Sequence, residues 1–139
     1  MPLGEFKLLQ WKSKAQQQED AEKYEKWAFP HGQKQRDNLE ALMREVEPKE
    51  KLPFIMMGYL TCKELYEKHL KTTGSNTAAI DTMLNVDKKY TQIIKKKELT
   101  KYLALVLADA EIDETCEYPS VETIRERIVE LDKLKIKRR

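Results

Sequence analysis

The sequence predicts an all-α fold, a single-domain bundle of five or six helices spanning residues 1–139. Three observations lead there. Turn-forming residues are scarce, with four Gly and five Pro in 139 residues. Lys, Glu and Leu, all good helix formers, are abundant. Apolar residues recur at three- and four-residue intervals, the period of a helix with one buried face. Hydrophobic residues make up 40% of the chain and charged residues 36%. The charge is high, but the apolar residues cluster, so the composition is that of a folded chain. A chain of this length buries a core without disulfides or metals.

The first helix is expected from about residue 4 to residue 29. Leu3, Phe6, Leu9 and Trp11 give it an apolar start, and residues 1–12 read as a separate arm suited to docking elsewhere. The following "SKAQQQEDAEKYEKW" is polar, with Ala15, Ala21, Tyr24 and Ala28 as sparse contacts. A helix of that kind packs weakly or lies partly exposed. Pro30 ends it, because the residue before a proline is pushed out of the helical region. Gly32 then permits a reversal, so "FPHG" reads as a corner between two helices.

The second helix is predicted over Gln33–Val46, with Leu39, Leu42, Met43 and Val46 at helical spacing and Pro48 beyond its end. A short charged connection leads to Pro53, which suits the first turn of a third helix running to about residue 71. Phe54, Ile55, Met57, Tyr59, Leu60, Cys62, Leu65, Tyr66, His69 and Leu70 cover more than half of its circumference, so it is expected to be the central, most buried helix. Gly74 is a good residue to end it, and Ser75 or Asn76 can cap the next helix.

Residues 77 to 112 contain neither Pro nor Gly. At ~100° per residue, Ile80, Met83, Leu84, Tyr90 and Ile94 form one stripe. Leu99, Tyr102, Leu103, Val106 and Ala110 form another, rotated by roughly 150° from it. A kink or break is therefore expected within residues 95 to 98, the alternative being one helix sandwiched on opposite sides. The run "YLALVLA", residues 102 to 108, is apolar nearly all round and should be deeply buried. Ser120 caps a last helix carrying Val121, Ile124, Ile128 and Leu131, with Glu122 favourable near its positive end.

Several function classes are disfavoured by composition. The formal net charge is +2, from 26 Lys and Arg against 24 Asp and Glu. This is not the strong basic excess of a dedicated nucleic-acid binder. The longest uncharged stretch, "PFIMMGYLTC", is too short for a membrane span, and the first ten residues lack a secretory pattern. The expectation is a cytoplasmic protein whose two cysteines, Cys62 and Cys116, are free thiols.

The candidate sites are few. Trp27, Phe29, His31 and Arg36 cluster at the corner and make a candidate aromatic groove. Lys95, Lys96 and Lys97, with Lys135, Lys137, Arg138 and Arg139 in the basic tail at 133–139, make a candidate basic patch suited to phosphate contact. Metal binding is not expected. Cys62 and His69 share a helix face but lack the second close-spaced pair that zinc requires. Asp109, Glu111 and Asp113 alternate like calcium-loop ligands, but Glu114 stands where the turn needs Gly and Ser120 where a bidentate Glu belongs. That stretch reads as a solvated acidic helix end. No catalytic motif, no phosphate-cradling Gly loop and no cofactor signature is present.

The stretch "WAFPHGQKQRDNLEALM" resembles small all-helical bacterial proteins of unknown function. The resemblance covers the first half of the chain and implies an all-helical fold and no activity. The function expected is binding, to another protein or to a second copy as a homodimer. The alternative is a nucleic-acid-associated regulator using the basic tail and the second helix.

Overall fold

A computed structural model describes residues 13–85, 94 and 98–137. Six helices and no strands occur among them, an all-α bundle as predicted. They are α1 (Lys14–Ala28), α2 (Gln33–Val46), α3 (Leu52–Thr73), α4 (Asn76–Asn85), α5 (Leu99–Glu111) and α6 (Val121–Lys137).

Local chemistry sets the boundaries. Helix α1 begins at Lys14, after a cap at Ser13; the expected start near residue 4 and the arm at residues 1–12 lie outside the described residues. Ser13 is extended (φ −63°, ψ 159°), and its side chain accepts a hydrogen bond from the Gln16 N–H, so it is an N-cap. Pairs one turn apart support this polar helix: Gln16 with Asp20 at 3.1 Å and Gln18 with Glu22 at 3.3 Å. At the corner, Gly32 has φ +90° and ψ −157°, a region open essentially only to glycine. Gly74 ends α3 in the left-handed conformation, and Ser75 caps α4 through the Ala78 N–H. Ser120 caps α6 through the Thr123 N–H.

The stretch from 77 to 112 is not one helix. Helix α4 is described as far as Asn85, and Ile94, no longer helical, is a fully buried bend. The first helix therefore stops before the predicted break at 95 to 98, whose residues 95–97 lie outside the described region. Ile80, Met83 and Leu84 of the first stripe lie in α4 and the second stripe lies in α5, so each set turns its own face independently; Ile94 lies in the bend and Tyr90 outside the described residues.

The most buried helix is α5, not α3. Tyr102, Leu103, Ala104, Leu105, Val106 and Ala108 are all buried. An all-round apolar segment has to be enclosed on every side, and α5 packs extensively on both α3 and α6. Helix α3 packs on α2, α4 and α5 but keeps one face in solvent: Phe54 and Met57, expected in the core, are 57% and 52% exposed. Helix α1 is the outlier, with Ala28 its sole buried residue among those described.

The α3–α5 approach is close because Gly58 has no side chain. A Cβ there would overlap the Tyr102 ring, and Tyr102 is itself buried. Gly58→Ala is expected to lower stability by about 1–3 kcal/mol, the usual cost of overpacking. Chemical denaturation measures this directly. An unchanged midpoint would mean that α3 and α5 separate without loss.

Candidate functional site

The structure disperses the corner residues. Phe29 is buried beneath the Arg36 guanidinium, which lies 5.4 Å from its ring centroid. Arg36 is held by Glu25 at 3.0 Å and Glu40 at 3.2 Å, hydrogen bonds that push its pKa above the usual value. His31 is exposed, and its backbone N–H donates to Gln35 Oε1 at 2.8 Å. Trp27 turns away towards α3, where its Nε1–H donates to Glu67 at 2.7 Å. Phe29 and Arg36 therefore stay together, while Trp27 faces a cleft between α1 and α3.

The basic patch falls mostly outside the described residues. Lys95, Lys96, Lys97, Arg138, Arg139 and the Lys137 side chain lie there, and Lys135 is half-buried. The acidic stretch does not converge either. Glu111 pairs with Arg127 at 2.8 Å, Asp113 bonds to Thr115, and Asp109 is buried instead of solvated. Among the described residues no cluster of three or more His, Cys, Asp or Glu could hold a metal ion. Cys62 and Cys116 are both buried free thiols, and burial pushes the Cys62 thiol well above its ordinary range.

What the fold does bring together is a buried polar centre around Lys63 and Asp109. Lys63 lies on the inward face of α3, in phase with Tyr59, Cys62 and Tyr66. Its ammonium has three donors. Two go to the carbonyl oxygens of Trp27 and Ala28, each at 3.0 Å, and Asp109 Oδ2 lies 3.5 Å away. The two carbonyls belong to the last turn of α1, where backbone acceptors lack helical partners and the dipole is negative. The same ammonium lies 5.1 Å from the Trp27 ring centroid.

Asp109 closes the centre from α5. Its Oδ1 accepts from Gln35 Nε2 at 2.8 Å and from the Tyr118 hydroxyl at 2.6 Å. Gln35 is only 1% exposed, and its own oxygen takes the His31 N–H across the corner. Burial, then the bond to Asp109, pushes the Tyr118 pKa far up. Tyr59 is fully buried close to Asp109, yet its hydroxyl has no hydrogen-bond partner of good geometry. Burial and the neighbouring carboxylate push its pKa up too. Each charged group is thus saturated by fixed partners, and both phenols stay neutral. The arrangement locks α1, α2, α3, α5 and the α5–α6 loop together and offers no free base or nucleophile.

The sequence reading misses Lys63 and places Asp109 in a solvated acidic helix end. A signal exists for both: Lys63 shares the apolar phase of α3, and Asp109 follows Val106 by three residues and Tyr102 by seven, on the inward stripe of α5.

An open apolar groove runs between α4 and α6. One lobe, of 530 Å³, is walled by Leu70, Leu107 and Leu131, with Glu111, Arg127 and Glu130 among its polar lining residues. The adjoining lobe, of 500 Å³, is lined by Ala78 and Leu84 beside Ser75, Thr77 and Asp81. Both share Ile80 and Leu134. The chain matches no family model, and neither a curated protein nor a solved structure matches it significantly. No described helix is long and apolar enough to cross a membrane.

Two outcomes are expected of the polar centre. Lys63→Met leaves Asp109 as a buried charge without its cation and should cost about 3–5 kcal/mol, whereas Lys63→Met with Asp109→Leu should recover much of the loss. Equal losses in the single and double variants would show that the pair is not coupled. Stability should also fall in alkali. Unfolded tyrosines ionise near pH 10, roughly, while Tyr59 and Tyr118 stay protonated in the native state. The unfolded chain then binds fewer protons, so stability is intact below that pH and declines above it. Urea midpoints across that range should drop, and less steeply in Tyr59→Phe.

Proposed function

We propose that this chain is a helical binding module that holds an amphipathic helix of a partner protein between α4 and α6. The supporting observation is the pair of adjoining lobes that share Ile80 and Leu134. Leu134 is 48% exposed at their junction, in a groove whose floor is built from Leu and Ile and whose edge is charged. An apolar trough between two helices with a polar rim suits a third helix that inserts large side chains at three- or four-residue spacing. Two lobes fit two such anchors. The saturated buried centre supports a binding role over a catalytic one. The nucleic-acid alternative rests on the basic tail, mostly outside the described residues, and on α2, where Gln35 is bonded to Asp109, Asn38 to the Cys116 carbonyl oxygen and Arg36 to Glu25 and Glu40.

A photo-crosslinking residue placed at Leu134 tests the reading in the native cell. The expected product joins the chain to an apolar face of a helix in a second protein, and Ile80→Asp should abolish it while the helical circular dichroism is retained. Crosslinks only between copies of this chain would replace the reading by self-association. Crosslinking indifferent to Ile80→Asp would remove the groove from the interaction.

A further inference from the structure

We propose that a second recognition site, independent of the α4–α6 groove, lies between α1 and α3 and takes the guanidinium group of an arginine side chain. The cleft has a volume of 320 Å³ and is lined by four residues, Tyr24, Trp27, Glu64 and Glu67. Two are aromatic and two are acidic, which is the pairing that attracts a flat organic cation.

The rings form two walls, with centroids 5.3 Å apart and planes inclined by 51°. Tyr24 is 50% exposed, although nothing else in α1 before Trp27 brings an aromatic group to the surface. The Trp27 ring is fixed from within: the buried Lys63 ammonium sits 5.1 Å from its centroid, and its Nε1–H is bonded to Glu67. That bond also fixes one carboxylate of the cleft. Glu64 stands close enough to Tyr24 that its negative charge adds to burial in raising the phenol's pKa.

The carboxylates are available. Lys68 and Lys71 follow Glu64 and Glu67 by one helical turn, yet among the described residues neither acid forms an ion pair. The nearest buried cation, Lys63, is committed inward to two carbonyls and Asp109. Two acids therefore face solvent beside two rings with no cation of the described chain between them. A guanidinium answers all four groups at once. It is weakly hydrated, stacks on aromatic faces, and presents forked N–H donors to carboxylates. An ammonium is a compact, strongly hydrated charge and uses the rings less well. An uncharged urea of the same shape has no electrostatic attraction to the ring faces.

The test is a nuclear magnetic resonance titration of the full chain, following the Trp27 indole N–H. A Trp11→Phe background leaves that signal unambiguous. The probes are acetyl-arginine amide, its lysine counterpart, and the isosteric, uncharged acetyl-citrulline amide. The arginine probe should shift the Trp27 signal saturably, the lysine probe more weakly, and the citrulline probe not at all. Glu64→Gln should weaken arginine binding by roughly twofold to fivefold, the size of one exposed charge pair. Tyr24→Ala should weaken it to a similar extent through the lost ring. Both positions are exposed, so the remaining resonances report an intact fold. Equal shifts with citrulline, equal affinity for the lysine probe, or indifference to Glu64→Gln would overturn the proposal.

Discussion

The contact on which the rest of this bundle depends is the buried pairing of Lys63 with Asp109. Apolar packing alone does not place α1, which buries only Ala28 among its described residues. A helix of 15 residues with so little burial is marginal by itself in water. Lys63 reaches from α3 to the last carbonyls of α1 and so fixes the end of that helix to the core. Taking an ammonium out of water is costly unless its charge is answered. Asp109 answers it, and Gln35 and Tyr118 then saturate the carboxylate. Each partner is needed because the one before it is buried. The chain of requirement runs from α1 through α3 and α5 to α2 and the α5–α6 loop.

The same logic operates at the other end of α5. Lys101 is 8% exposed, yet it is held between Glu47 at 3.3 Å and Glu50 at 3.2 Å. Burial works against its charge, but the tyrosine beside it and the two glutamates outweigh that, and its pKa is raised. Thr100 donates to Asp132 of α6 at 2.7 Å. The central helix therefore has an apolar belt from Tyr102 to Ala108 between two polar anchors. The belt is nearly featureless in direction, since it is apolar on all sides. The anchors supply what the belt lacks, a fixed rotation and a fixed height relative to α3, α2 and α6. The close fit of Tyr102 against Gly58 uses that register.

Much of this is readable in the sequence where a local rule acts alone. Gln33–Val46 is bounded by Gly32 and Pro48, and Gly74, Ser75 and Ser120 mark helix ends through their own backbone or side-chain chemistry. The "YLALVLA" run reads as buried because no face of it is polar. Reading fails where the answer depends on what lies opposite. Phe54 and Met57 are as apolar as Ile55, but only a neighbouring element decides which of them is covered. The roles of Asp109 and Lys63 stay hidden because a charge in an apolar stripe is explicable only by a partner, and these two lie 46 positions apart in the chain. The corner aromatics read as one group because they are adjacent in sequence. Helical geometry instead sends Trp27 towards α3 and places Phe29 under Arg36.

The buried lock and the proposed cation cleft are consequences of one helical succession on α3. Residue 63 points inward, and residues 64 and 67 are exposed. Lys63 spends its donors on α1 and Asp109, so it does not neutralise the two glutamates beside it. It also pins the end of α1, which holds the Trp27 ring over the same segment of α3. The cleft therefore owes its unpaired acids and its rigid wall to the same buried ammonium. The α4–α6 groove has no such direct contact: none of its lining residues belongs to the polar centre, although Leu70 and Leu107 come from the helices that the centre joins. Loosening the lock would therefore reach the cleft directly, through the Trp27 wall, and the groove only through the positions of α3 and α5, which supply residues to both the lock and the groove.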